Sequence, residues 1–139
     1  MVRSPDEMRL VEEFDATYLR SGTEVMHQIE RSVLNTDYGA TSWTTRTQAD
    51  QLAALLKLGP GIRMIDVGAG SGWPGLHLAR TTGCEAFIVD PSYVGIRVAA
   101  DRASADHIAD RCGAVVADGG ALPFTDGVFD AVNHADVLC

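Results

Sequence analysis

The chain carries little positive charge. Its 139 residues include 11 lysines and arginines against 19 aspartates and glutamates, which gives a net charge of −8. Such a balance repels polyanions and lacks the basic stripe that nucleic-acid-binding proteins use. We therefore expect a small-molecule substrate and no nucleic-acid partner.

Cysteines are few, and long apolar runs are missing. Cys84, Cys112 and Cys139 are widely spaced and form no Cys-x-x-Cys pair, which argues against a disulfide scaffold or a structural zinc site. No apolar run approaches the length that spans a bilayer, so no membrane contact is expected. The opening "MVRSPDEMRL" lacks the apolar stretch of a secretory signal, which favours the cytoplasm.

Helix signals dominate the first third of the chain. Ser4 is a suitable N-cap for a first helix, and a second helix is predicted from Thr23 to about Leu34. The stretch "TRTQ" at positions 45–48 has capping-box spacing and predicts a third helix that ends at Gly59. The apolar faces of the first two helices each need a partner surface.

Short apolar runs then alternate with helical stretches. "RMIDV", "EAFIVD", "AVVAD" and "FDAV" are the predicted strands, and their spacing leaves room for helices between them. Parallel strands need such crossovers, so the fold class is α/β. We divide the chain into a helical cap, residues 1–45, and a sheet core, residues 46–139.

The segment "IDVGAGSGWPG", from Ile65 to Gly75, follows the first strand directly. Ligands of parallel sheets bind beyond the carboxyl ends of the strands, and glycines let a ligand approach the backbone closely. "GSGWPG" also fits the Gly-x-Gly-x-x-Gly pattern of dinucleotide-binding enzymes. Asp90, about twenty residues later, suits the ribose hydroxyls of any adenosine cofactor, so an NAD-type oxidoreductase remains an alternative.

Two carboxylates favour a different cofactor. Asp66 lies two residues before Gly68, where it would oppose a pyrophosphate and suit a ligand with an amino group and a sulfonium. Asp118 ends the third predicted strand and can accept from an adenine amino group, with the Gly119 N–H free to donate. A P-loop is excluded because no Gly-Lys-Ser or Gly-Lys-Thr follows the glycines.

The series "MIDVGAGSG", Asp90, "ADGGALPF" and "FDAV" resembles the motifs of class I S-adenosylmethionine-dependent methyltransferases, in the small-molecule branch. The resemblance implies a Rossmann-like parallel sheet with flanking helices. It also implies that S-adenosylmethionine is the cofactor and S-adenosylhomocysteine the product. The expected cofactor-binding residues are Asp66, Gly68, Ala69, Gly70, Asp90, Pro91, Asp118, Gly119, Asn133, Trp43 and Thr44.

His134 is the candidate catalytic residue. It follows the fourth predicted strand, where the resemblance places the methyl-donor side, and its imidazole could take a proton from the acceptor. His134 and Asp136 could share a strand face, yet two ligands make no metal site, so no metal is expected. "NHAD" differs from the Asn-Pro-Pro-Tyr or Asp-Pro-Pro-Tyr motif that marks methylation of exocyclic amines on bases and of glutamine.

The resemblance also implies a longer sheet than this chain provides. The family has seven strands, whereas four are predicted here before "DVLC", so the last three strands are expected to be missing. A fourth strand without its neighbour would form an unpaired edge. A non-catalytic binding domain of the same fold is a further alternative, and the sequence predicts no oligomeric state.

Overall fold

The computed structural model describes residues 3–39 and 42–137. These residues form five helices and four strands. In chain order they are α1 (Pro5–Ser21), α2 (Glu24–Leu34), α3 (Arg46–Leu55), β1 (Arg63–Val67), α4 (Gly75–Thr82), β2 (Glu85–Asp90), α5 (Tyr93–Ala105), β3 (Cys112–Val116) and β4 (Ala131–Asn133).

The four strands form one parallel sheet in the order β3-β2-β1-β4. The predicted α/β class with a Rossmann-like sheet is therefore confirmed. Asp66 of β1 is in register with Ile88 of β2 and with Asn133 of β4. All carboxyl ends consequently meet at one edge of the sheet, and β4, with three residues, is an outer strand.

Local sequence signals set the starts of the helices. Ser4, the predicted N-cap of α1, forms a reciprocal capping box with Glu7, and Thr45 and Gln48 form the predicted capping box at the start of α3. The predicted end of α3 at Gly59 is wrong, because the helix ends at Leu55. Lys57 has a positive φ of 52°, a left-handed conformation that cannot continue the helix.

The core lies on the two central strands. Met64, Ile65, Ile88 and Val89 are at most 2% exposed, and fully buried Leu78 of α4 belongs to the same core cluster as Met64 and Ile88. Burying a side chain of this size stabilises a fold by about 1.5–3 kcal/mol. These contacts hold the sheet edge, where the strands end, in a fixed geometry.

The helical cap contacts the core through α1, among other segments. The Ser92 hydroxyl, at the N-cap of α5, donates to the Asp15 carboxylate of α1. Ser92 Oγ also accepts from Gly95 N at 2.9 Å. The Ser92 side chain therefore caps the N-terminus of α5 and also bonds this helix to α1 of the helical cap. The division at residue 45 stays a prediction.

Cys84 and Cys112 are free thiols; Cys84 is buried and Cys112 is half-buried. Cys139 lies outside the described residues. None of the described helices is long and apolar enough to cross a membrane.

Candidate functional site

The glycine loop, residues 68–74, joins β1 to α4 and is fixed by the end of β2. The backbone N–H groups of Gly68 and Ala69 donate to the Val89 carbonyl at 2.8 and 3.1 Å. The Gly70 N–H donates to Asp90 Oδ2 at 2.8 Å. Gly68 and Gly70 have φ values of 71° and 52°, which an L side chain rarely adopts. The loop therefore has a defined shape that Asp90 helps to set.

A cavity of about 270 Å³, which we call the loop cavity, opens beside this loop. It brings together five of the predicted cofactor-binding residues: Gly68, Ala69, Gly70, Asp90 and Pro91. The opposite wall comes from one face of α1 and from the segment after β4. The remaining lining residues are Leu10, Val11, Phe14, Tyr18, Ser42, Ser71, Trp73, Ser92, Ala135, Asp136 and Val137.

Tyr18 packs directly on the glycine loop, which sequence reasoning missed. A Cβ at Gly70 would lie 2.5 Å from the Tyr18 hydroxyl oxygen and 2.7 Å from two ring carbons. Similarly, a Cβ at Gly68 would meet Val137. The bare backbone at these glycines thus accommodates side chains of the same chain beside the cavity. The available signal was the apolar face of α1 that Tyr18 shares with Phe14.

Asp90 is almost fully buried, with both carboxylate oxygens bonded to backbone. Oδ1 accepts from Ser92 N at 2.8 Å, and Oδ2 accepts from Gly70 N. Burial raises the pKa of Asp90, while these two hydrogen bonds oppose the rise. Each carboxylate oxygen has a second acceptor site, so Asp90 can still accept from a hydroxyl in the loop cavity.

Asp66 lies behind the glycine loop and does not line the loop cavity. It is fully buried, and its two oxygens accept from Gly75 N at 2.9 Å and from Asn133 Nδ2 at 2.7 Å. Burial raises the pKa of its carboxyl to about 7. Asp66 and Asn133 therefore connect β1 to the start of α4 and to the end of β4. They support the geometry of these elements and have no direct access to a ligand in the loop cavity.

Asp118 and Gly119 follow β3 and lie outside the loop cavity, at the same edge of the sheet. The Ala117 N–H, one residue earlier, donates to the Asp90 carbonyl at 3.1 Å. A Cβ at Gly119 would lie 2.9 Å from a methyl group of Val67. Asp118 Oδ1 accepts from Gly120 N at 2.8 Å, which shapes this turn beside the ends of β1 and β2.

His134 lines a different cavity, of about 430 Å³, which we call the His134 cavity. Asn133, Trp43 and Thr44 border it as well, so these predicted residues are brought together but apart from Asp90. Asp136 is common to this cavity and the loop cavity. Among the described residues no group of three ligands could hold a metal ion.

The segment 42–44 borders both cavities and is held from two sides. The Asp136 carboxylate accepts from the Ser42 hydroxyl, and from Trp43 N at 2.9 Å. On the other side, the indole N–H of Trp73 donates to the Thr44 carbonyl at 2.8 Å. The glycine loop and the segment after β4 are thus connected through this short stretch.

A methyltransferase domain model matches residues 64–139 of the chain, from β1 to the last residue. The chain belongs to this family of methyltransferase domains, and the resemblance drawn from its motifs is confirmed. The matched region contains the glycine loop, Asp90 and the segment after β4.

Curated relatives include 27-O-demethylrifamycin SV methyltransferase from Amycolatopsis mediterranei, which is 35% identical over 89 residues. That alignment covers 64% of this chain and 32% of the relative. The chain spans about a third of the length of the curated relatives it matches.

Two solved structures share this fold. A S-adenosylmethionine-dependent methyltransferase from Geobacter sulfurreducens, in complex with S-adenosylhomocysteine, is 29% identical with a TM-score of 0.59 and covers 67% of this chain and 37% of its own. The [4+2]-cyclase SpnF is 33% identical with a TM-score of 0.55, over 66% of this chain and 35% of its own. The product of the predicted cofactor is thus bound by a protein of this fold.

Proposed function

We propose that the protein transfers a methyl group from S-adenosylmethionine to a small-molecule acceptor, with the cofactor in the loop cavity. The observation that supports this most directly is the meeting of the glycine loop with Asp90 at the carboxyl edge of a parallel sheet. When bound, the cofactor supplies an electrophilic methyl group, and the bond to sulfur breaks as the acceptor's nucleophile takes it.

The residues divide into those that contact the cofactor and those that support them. Gly68 and Gly70 present backbone to its methionine portion, and Asp90 accepts from its ribose hydroxyls. The segment at Asp118 lies beside the adenine. Asp66 acts one layer further back, because it is fully buried and does not line the loop cavity.

For the acceptor, His134 is proposed as the group that takes up the proton released on methylation. It is exposed in its cavity and immediately follows β4, next to the segment whose Asp136 borders the loop cavity. The net charge of −8 supports a small molecule over nucleic acid as the acceptor. A cytoplasmic location stays a prediction.

The cofactor assignment is tested by calorimetric titration with S-adenosylhomocysteine. Asp90→Ala removes the proposed acceptor of two ribose hydroxyls. A hydrogen bond to a charged group contributes about 1.5–3 kcal/mol, so the affinity for S-adenosylhomocysteine should fall at least tenfold. Asp101→Ala, at an exposed position of α5, is the control and should bind like the parent. Circular dichroism checks that both variants fold. Unchanged affinity of a folded Asp90→Ala variant would contradict the ribose assignment.

Two competing functions give different results. An NAD-type oxidoreductase would bind NADH and ignore S-adenosylhomocysteine. A non-catalytic binding domain of the same fold would bind S-adenosylhomocysteine. It would then transfer no labelled methyl group from S-adenosylmethionine to any member of a metabolite panel.

A further inference from the structure

The lining of the loop cavity is negatively charged. Asp90 and Asp136 border the cavity, and within the described part of the chain no lysine, arginine or histidine does. The Asp15 carboxylate lies close by and adds to the effect of burial in raising the pKa of Asp90. Arg3 approaches from outside the lining and donates to the Pro91 carbonyl at 3.5 Å. The lining therefore favours a ligand that carries net positive charge.

The methyl donor and its product differ by one charge. S-adenosylmethionine carries a sulfonium, an amino group and a carboxylate, so it has net positive charge at neutral pH. S-adenosylhomocysteine has lost the methyl group and the sulfonium charge, and is neutral overall. Groups that bind the adenosine or the amino-acid portion meet the same atoms in both molecules. A charged side chain of the cavity, by contrast, interacts differently with the two.

The Asp136 carboxylate is held in one orientation by three consecutive residues. Its Oδ2 accepts from the Ser42 hydroxyl, from Trp43 N at 2.9 Å and from Thr44 Oγ1 at 3.4 Å. These three donors are uncharged, so they orient the carboxylate without cancelling its charge. Trp43 and Thr44, both predicted to bind the cofactor, thus contact a carboxylate that borders the cavity.

The backbone at Asp136 also has a specific conformation. Its φ is 59°, a left-handed value that is uncommon outside glycine and that aspartate and asparagine adopt more readily than most residues. The next residue, Val137, packs on the glycine loop, since a Cβ at Gly68 would lie 2.5 Å from Val137 Cγ2. Backbone conformations of this kind cluster at functional sites. The carboxylate is therefore fixed relative to the glycine loop as well as to the segment 42–44.

We propose that Asp136 makes the loop cavity prefer the charged methyl donor over the neutral product. The role rests on the proposed function and adds a specificity-determining residue to it. Asp90 is proposed to accept from ribose hydroxyls, which donor and product share, so that contact holds both alike. Asp136 lies on the opposite wall, in the segment after β4. Methyl transfer removes the charge that Asp136 attracts, which favours release of the product.

The test compares the affinities of three ligands by calorimetric titration: S-adenosylmethionine, S-adenosylhomocysteine and sinefungin. Sinefungin carries a protonated amine in place of the sulfonium and transfers no methyl group. Asp136→Asn removes the charge but keeps an amide oxygen that can accept and a residue type that tolerates the left-handed backbone. It should weaken binding of both charged ligands about threefold or more, as expected for one partly screened charge. The affinity for S-adenosylhomocysteine should change less than about 1.5-fold.

A matched variant and a salt titration separate this role from general effects. Asp126→Asn removes the same charge at an exposed position that does not line the loop cavity, so it should leave the ratio of donor to product affinity unchanged. Circular dichroism checks that both variants fold. In the parent, raising sodium chloride from about 50 to about 500 mM should weaken the charged ligands more than S-adenosylhomocysteine. The salt titration decides the question even if Asp136→Asn does not fold.

Failure of the inference and failure of the function are distinguishable. If Asp136→Asn weakens all three ligands by one factor, the carboxylate only anchors the segment 42–44, and the inference alone is refuted. The same holds if Asp126→Asn changes the affinity ratio as much as Asp136→Asn does. Equal salt dependence of donor and product binding in the parent would also refute it. A parent that does not bind S-adenosylhomocysteine refutes the proposed function and the inference with it.

Discussion

The contact between Gly70 and Tyr18 gives a direct test of how the cap meets the glycine loop. Adding one methyl group, as Gly70→Ala, would bring its carbon to 2.5 Å from the Tyr18 hydroxyl oxygen. It would also force alanine into a backbone conformation with a φ of 52°. Two separate costs are therefore expected, one from the backbone and one from the clash.

The two costs can be estimated. The left-handed backbone destabilises a non-glycine residue by about 1–2 kcal/mol. Overpacking against a buried ring adds about 1–3 kcal/mol. Gly61→Ala isolates the first cost, because Gly61 has a φ of 84° and nothing lies within 4 Å of an added Cβ.

The assay is urea unfolding of six proteins: the parent and Tyr18→Ala, each alone, with Gly70→Ala and with Gly61→Ala. In the Tyr18→Ala background the clash is gone, so Gly70→Ala should cost about 1–3 kcal/mol less than in the parent. Gly61→Ala, with no such neighbour, should cost the same in both backgrounds. Equal costs of Gly70→Ala in both backgrounds would refute the packing of Tyr18 on the loop.

Three further outcomes are expected. Burial raises the pKa of Asp66 to about 7, so the folded state holds a proton that the unfolded state has lost. The parent's unfolding free energy, measured by urea titration, should therefore fall as pH rises from about 4 to 7. Asp66→Asn should make this fall shallower. Ser92→Ala removes the α5 cap and the tie to Asp15, so it should cost about 1 kcal/mol and speed amide exchange in α1. Trp73→Phe loses the hydrogen bond to the 42–44 segment and should lower the unfolding free energy by about 1 kcal/mol, whereas exposed Trp43→Phe should change it far less.

Local signals in the sequence determined the elements and the position of the glycine loop. The N-cap at Ser4 and the capping box at Thr45 lie where the sequence predicted them, because a cap involves only side chains and backbone within one turn. Alternation of apolar runs with helical stretches predicted the parallel sheet, since parallel strands must be joined by a crossover, usually a helix. The sheet then placed Asp90 beside the glycine loop, as expected from the end of its strand.

The structure alone decided which of the predicted residues face the same cavity. Asp66 and Asp90 both lie at strand ends, yet Asp66 is enclosed by the start of α4 and by β4, while Asp90 borders the loop cavity. Their difference depends on a contact with Asn133, which is far away in the sequence. No periodicity or motif around Asp66 carries that information.

The positions of Tyr18 and His134 likewise came only from tertiary packing. The amphipathic pattern of α1 showed that Tyr18 needs a partner, but not that this partner is the backbone of Gly70. His134 follows its strand as predicted, yet it lines a different cavity from Asp90. An amphipathic pattern predicts that the apolar face of a helix is covered by another element or binds a ligand. Which of the two occurs at α2 depends on the elements that pack around it, and the described elements leave that face open.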